Sequence, residues 1–183
     1  DTSYSLPNSI DTITTHIPPS MVEAIDITQD ITIKVGSNYE CVNALTDRST
    51  DTFWYGGKDG DESGKSTITF VANIAPEDVA GICLFIDKVR DEKHFPTKII
   101  TKIKNHNRIS VMEDLHLYAG WTWIQLDMMP SSSVDLKRKF LEVEILIEGE
   151  NPRIRGLRVF KKGIKKELYE CLQLPVNAVA LQV

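Results

Sequence analysis

Beyond residue 30 the chain alternates apolar and polar residues with a period of two. Ile31-Thr-Ile-Lys-Val35, Ser66-Thr-Ile-Thr-Phe-Val71 and residues 97–104 follow that pattern, which predicts half-buried strands. Gly120-Trp-Thr-Trp-Ile-Gln-Leu-Asp127 alternates most cleanly and sets Trp121, Trp123 and Gln125 on one side. Val79-Ala-Gly-Ile-Cys-Leu-Phe-Ile-Asp87 is apolar throughout and rich in β-branched residues, as a strand buried on both faces must be. Residues 109–117, 140–147 and 153–160 complete a series of about eight strands, separated by turn signals at the spacing of a sandwich. No long amphipathic helix interrupts them, which argues against a parallel α/β sheet. The expectation is an all-β sandwich of jelly-roll type.

The ends of the chain read differently. Residues 1–28 are polar, carry Pro7, Pro18 and Pro19, and predict an arm or linker with no more than a helical turn over 21–25. The folded domain is expected over 29–163, with 164–183 as a tail whose first part, 164–174, suits a short helix ended by Pro175. The first residue is Asp1 rather than Met, as expected of a piece of a larger chain.

The densest local chemistry lies in residues 43–60. Asp47, Ser49, Thr50, Asp51 and Thr52 can each bond backbone groups two residues on, which fixes a loop without regular structure. Phe53, Trp54 and Tyr55 follow, and alternation sends Trp54 to the face opposite the other two. Gly56-Gly-Lys-Asp-Gly60 then opens a flexible loop. A tight turn, an aromatic step and a Gly-rich loop together suit a binding surface.

Composition removes several alternatives. An apolar fraction of 42% and a charged fraction of 26% are those of a soluble globular protein. A net charge of −5 gives no nucleic-acid footprint. No apolar run approaches the ~20 residues that span a bilayer, and no signal peptide is visible at the start. Cys41, Cys83 and Cys171 are three widely spaced cysteines without a CxxC pair, which favours a reduced intracellular setting while leaving one disulfide open. Cys83, within an apolar run, reads as a small buried hydrophobe. His16, His94, His106 and His116 are scattered and show no metal-ligand spacing. No catalytic motif emerges, so the domain is expected to be non-catalytic and to need no cofactor.

Four stretches, in order, resemble a known family. Asn43-Ala-Leu-Thr-Asp-Arg-Ser-Thr-Asp-Thr-Phe-Trp54 resembles the L-x-D-x-x-x-x-T-[FY]-W motif of DOC domains. Lys93-His-Phe-Pro-Thr-Lys-Ile99 resembles their Y-x-P-x-x-[IV] element, and Gly120-Trp121 their late GW step. Arg153-Ile-Arg-Gly-Leu-Arg-Val-Phe160 resembles their R-[IV]-R-x-[IV]-[KR]-[IV] strand, so the resemblance spans roughly residues 31–161. It implies a galactose-binding-like jelly roll that serves a large E3 ubiquitin ligase by recruiting a substrate or partner, with another domain transferring ubiquitin. The wording of residues 47–54 is closest to the DOC domain of giant PHR-type RING ligases. Trp54-Tyr-Gly-Gly-Lys-Asp-Gly60 departs from the family's W-x-S-D-G continuation where ligand-contacting loops sit, so the family's ligand is not carried over.

The candidate partner-binding residues are Tyr55, Lys58, Asp59, His94, Arg153 and Arg155. Tyr55 is placed for exposure, whereas Trp54 reads better as core than as an anchor. His94, in a charged loop expected near Lys58 and Asp59, would give the site a pH-sensitive member. Arg153 and Arg155 share a face; they either hold a carboxylate bidentately or pair with Glu142 or Glu144. Asp47 and its hydroxyl neighbours suit a self-capped turn better than a cation site. Residues 161–166 form a basic cluster without aromatics, read as solvated. The expected partner is a protein or peptide, with no nucleic acid or membrane, bound by a monomeric domain in a cytoplasmic or nuclear chain. The alternative is a carbohydrate-binding module, since fold alone cannot separate the two.

Overall fold

The chain folds into two stacked antiparallel sheets, as a computed structural model shows for residues 24–57, 66–106, 109–118, 120–126 and 140–163. Eleven strands lie within those residues: β1 Ala24–Asp26, β2 Thr32–Val35, β3 Trp54–Tyr55, β4 Thr67–Ala72, β5 Val79–Ile86, β6 Lys98–Ile103, β7 Ile109–Met112, β8 Gly120–Gln125, β9 Leu141–Glu148, β10 Arg153–Ile154 and β11 Gly156–Lys162. One sheet has the order β1-β11-β5-β8, the other β2-β4-β9-β6-β7, and β3 pairs with β10 in a short ribbon. This is the jelly-roll sandwich that the alternation predicts.

The period-two pattern fixes which face is core. In β4 and β9 every second residue (Ile68, Phe70, Ala72; Leu141, Val143, Ile145, Ile147) is buried between the sheets, and their neighbours face outward. Strand β5 is buried along its whole length. Ile82, Leu84 and Ile86 enter the central core, while Cys83 packs on the opposite face with Trp123 and Phe160. Burial pushes the Cys83 thiol well above its ordinary range, so it behaves as the expected hydrophobe. Trp121 and Trp123 share that outer face, as predicted, and Trp123 Nε1 donates to Gln125 Oε1 at 2.7 Å. Trp54 is wholly buried, and its indole N–H donates to Ser37 O at 2.8 Å.

Three expectations are corrected. The polar start of the domain holds a strand: Ala24–Asp26 pairs antiparallel with β11, so the sheet begins before residue 29 and residues 24 and 25 form no helical turn. The weak strand over 109–117 ends at Met112, and Leu115–Leu117 forms a 3₁₀ turn. The single strand expected over 153–160 is two, in different sheets, with the break at Arg155. The expected loops over 58–60 and 128–134 and the helix over 164–174 lie outside the described residues.

Gly81 makes the tryptophan layer fit. A Cβ there would sit 2.5 Å from Trp123 Cζ2 and 2.6 Å from the backbone oxygen of Ile124. The backbone contact cannot yield without disturbing the β5–β8 ladder, so overpacking is expected to cost about 2–3 kcal/mol. Gly81→Ala should therefore lower the melting temperature by roughly 5–10 °C in a thermal unfolding scan. A variant melting with wild type would show that the layer has slack.

Candidate functional site

Strand register brings three connections to one end of the sandwich. Strand β5 ends at Ile86 opposite Gly120, and β6 begins at Lys98 opposite Glu148. The segments 87–97, 113–118 and 149–152 therefore meet there. The turn over 46–53 joins them through side chains, because Arg90 Nη1 reaches Asp51 Oδ1 at 2.9 Å.

That turn is held by its own residues. Asp47 Oδ1 accepts from Ser49 N at 2.9 Å, Asp47 Oδ2 accepts from Thr52 Oγ1 at 2.5 Å, and Ser49 Oγ accepts from Asp51 N at 3.1 Å. Arg48 sits in the left-handed region at φ 65° to close it. Among the described residues no cluster of three His, Cys, Asp or Glu side chains is placed to hold a metal ion.

The centre of the end is a buried ion pair that the sequence did not single out. Asp91 Oδ2 accepts from Arg155 Nε at 2.7 Å, and Oδ1 accepts from Arg155 Nη2 at 2.8 Å. The remaining Arg155 nitrogen, Nη1, donates to the backbone oxygens of Thr50 at 3.0 Å and Asp51 at 3.2 Å. One guanidinium thus ties the turn over 46–53, the loop over 87–97 and the β10–β11 break into one unit. The Arg155 side chain is 5% exposed and that of Asp91 0%. Charges so desolvated need this density of hydrogen bonds.

Arg153 lies on the solvent side of the pair. Its side chain is 28% exposed, Nη1 donates to Asp91 Oδ1 at 3.2 Å, and the guanidinium lies 4.3 Å from the centroid of the Phe53 ring. No other hydrogen bond engages that guanidinium among the described residues. Phe53 also has Arg155 at 5.1 Å and Tyr55 at 6.3 Å, so one half-buried ring lies against both the inner and the outer cation.

The predicted residues separate accordingly. Tyr55 is half-buried opposite Arg153 in the β3–β10 ribbon, and its backbone oxygen accepts from Asn38 Nδ2 at 2.7 Å. His94 is half-buried, with Nδ1 3.1 Å from Glu150 O. Arg155 is corrected: it is a buried brace, with its donors turned inward, and offers nothing to a ligand. The proposed pairing of the arginines with Glu142 or Glu144 is also corrected. Both reach Asp91, while Glu142 takes Lys104 at 2.8 Å. Lys58 and Asp59 lie outside the described residues; the chain reaches this end at Gly56, whose oxygen accepts from Asn151 Nδ2 at 3.1 Å. The sequence reading also missed Tyr39, Val89, Leu117 and Tyr118, large apolar or aromatic residues exposed on connections of this end. Apolar residues outside the predicted strands were the available signal for Tyr39, Val89 and Tyr118, whereas Leu117 lay within the strand expected over 109–117.

The described loops are thus tied together at one end of an all-β sandwich. The family comparison makes the class specific: residues 7–179 match the family "Anaphase-promoting complex, subunit 10 (APC10)", and the chain belongs to it. That family is the DOC domain, a non-catalytic, subunit-type component of ubiquitin-ligase machinery. No curated protein matches the chain. Among solved structures, it is similar to CpGH89CBM32-6 of Clostridium perfringens, at 19% identity over 74% of this chain and 96% of that one, with a TM-score of 0.43. It is also similar to the F5/8 type C domain of a Bacteroides fragilis protein, at 9% identity over 80% and 100%, with a TM-score of 0.45. The CBM32-1 and CBM32-2 domains of C. perfringens ZmpB give 13% identity over 94% of this chain and 43% of that one, at 0.39.

Two measurements test this account. Asp91→Ala leaves the Arg155 charge buried without its carboxylate and should cost about 3–5 kcal/mol in urea unfolding, against at most about 1 kcal/mol for Arg153→Ala at the surface. Equal costs would refute the division between brace and surface. The second concerns Asp87, whose carboxyl burial would raise; bonds from the backbone and side chain of Arg90 outweigh this and hold it below the usual aspartate range. Its folded value is depressed, so its contribution is present above the ordinary aspartate value of 3.8 and fades as pH falls through the folded one. The stability gap between wild type and Asp87→Asn should therefore shrink between pH 5 and roughly pH 2. A gap independent of pH would exclude this linkage.

Proposed function

We propose that this domain is a protein-interaction module of a large E3 ubiquitin ligase, one that recruits a substrate or partner through the loops of the braced end. Membership of the APC10 family supports the ligase setting. The observation that carries the site is Arg153: a partly exposed guanidinium, laid on Phe53 and engaged by one hydrogen bond to Asp91 among the described residues. Its remaining donors suit a carboxylate from an acidic or C-terminal peptide. Tyr39, Val89, Leu117 and Tyr118 add exposed apolar area on connections of the same end, and Tyr55, Lys58, Asp59 and His94 are the further members this reading keeps. Binding is the whole mechanism; ubiquitin transfer belongs to another domain. The setting is intracellular, in the cytoplasm or nucleus, and the domain acts as a monomer within a longer chain. No helix among the described residues is long and apolar enough to cross a membrane.

Affinity capture with the 183-residue chain tests this, comparing wild type with an Arg153→Glu/Tyr39→Ala variant of unchanged melting temperature. Ubiquitin-ligase subunits or ubiquitinated proteins should be retained by wild type and fall at least tenfold with the variant. Equal retention would remove the braced end as the site. Saturable binding on a glycan array, lost in the same variant, would favour the carbohydrate reading.

A further inference from the structure

The outward side chains of the five-stranded sheet fall into rows set by register. Val111, Ile100, Leu146 and Thr67 lie side by side across β7, β6, β9 and β4. The next row is Ile109, Lys102, Glu144, Thr69 and Lys34. On the other side, Lys98 pairs with Glu148 in register and reaches Glu113 at 3.5 Å. An apolar row is therefore flanked by charged ones, and it runs to the edge of the sheet at β7.

Among the described residues β7 pairs with β6 alone. An open edge is a template for another strand, and proteins normally blunt it with lysine, proline, a bulge or extreme shortness. Strand β2, at the opposite edge, turns Lys34 and Thr32 outward. Strand β7 is Ile-Ser-Val-Met, without charge or proline, and Ile109 and Val111 are 55% and 52% exposed. Met112, on the inner face, packs against the core and holds the strand in place.

We propose that β7 is a docking edge for an extended segment of another protein, added as a further antiparallel strand. The rows specify its chemistry. The residue beside Glu113, which Asp114 follows in sequence, should be basic. Those beside Val111 and Ile109 should be apolar, to match the exposed side chains they would cover. Read in the antiparallel direction, the segment is Lys/Arg-x-Val/Ile-x-Val/Ile. A second copy of this chain fits less well. Self-pairing that sets Val111 against itself puts Ile109 opposite Glu113, and pairing centred on Ser110 puts Glu113 opposite Asn107; neither supplies a cation. This site runs along the sheet edge and meets the braced end only at Glu113 and Asp114.

The probe is a fluorescein-labelled peptide, Thr-Lys-Thr-Val-Thr-Ile-Thr, titrated with the 183-residue chain and read by anisotropy. Saturable binding is expected, weakened at least tenfold by Val111→Lys, by Ile109→Lys and by replacing the peptide's lysine with glutamate. Arg153→Glu should leave it unchanged, which separates this result from any failure at the braced end. Both lysine variants alter exposed side chains, and their melting temperatures verify folding. Absence of binding at millimolar peptide, or equal binding of the glutamate peptide, would overturn the proposal. So would sedimentation showing a wild-type dimer that Val111→Lys dissolves, since a second copy would then occupy the edge.

Discussion

The loops at one end of the sandwich are fastened to the sheet by one buried contact, the bidentate pairing of Arg155 with Asp91. Isolated from water, each charge would be expensive; together, and with the backbone oxygens of Thr50 and Asp51, they are satisfied. The pairing joins residues 64 positions apart and fastens an irregular turn to a sheet, where ladder hydrogen bonds are not available. Arg155 is also where β10 leaves the ribbon and β11 enters the sheet, its own N–H donating to Phe85 O at 2.9 Å. The break in the strand and the brace are one feature.

The frame was legible in the sequence because alternation records burial directly. Strands β4 and β9 and the doubly buried β5 follow the pattern nearly to the residue. Ala24–Asp26 was invisible because three residues cannot display a period, and the strand exists only through its pairing with β11. Residues 153–160 look continuous because arginine at alternate positions imitates an outward face. In the fold Arg153 faces solvent and Arg155 turns inward to a carboxylate.

The candidate site was legible only in part. Arg153 was picked out as one of two arginines at alternate positions and Tyr55 by its alternation with Trp54, and the structure sets the two opposite one another in the β3–β10 ribbon. Asp91 was not picked out, since in a loop already rich in Asp, Glu, Lys and Arg nothing local marks one carboxylate as buried. The exposed residues Tyr39, Val89 and Leu117 sit in short connections that carry no periodicity, so their place at the same end emerges only from topology.

The division between brace and surface has an evolutionary consequence. The groups that hold the loops together point inward, and those a partner would touch point outward, with Phe53 in contact with both. Exchanging an outward residue leaves the brace intact, so recognition is free to drift at little thermodynamic penalty. Exchanging an inward one dismantles the whole end at once. Relatives sharing this brace should accordingly diverge in what they bind long before they diverge in shape.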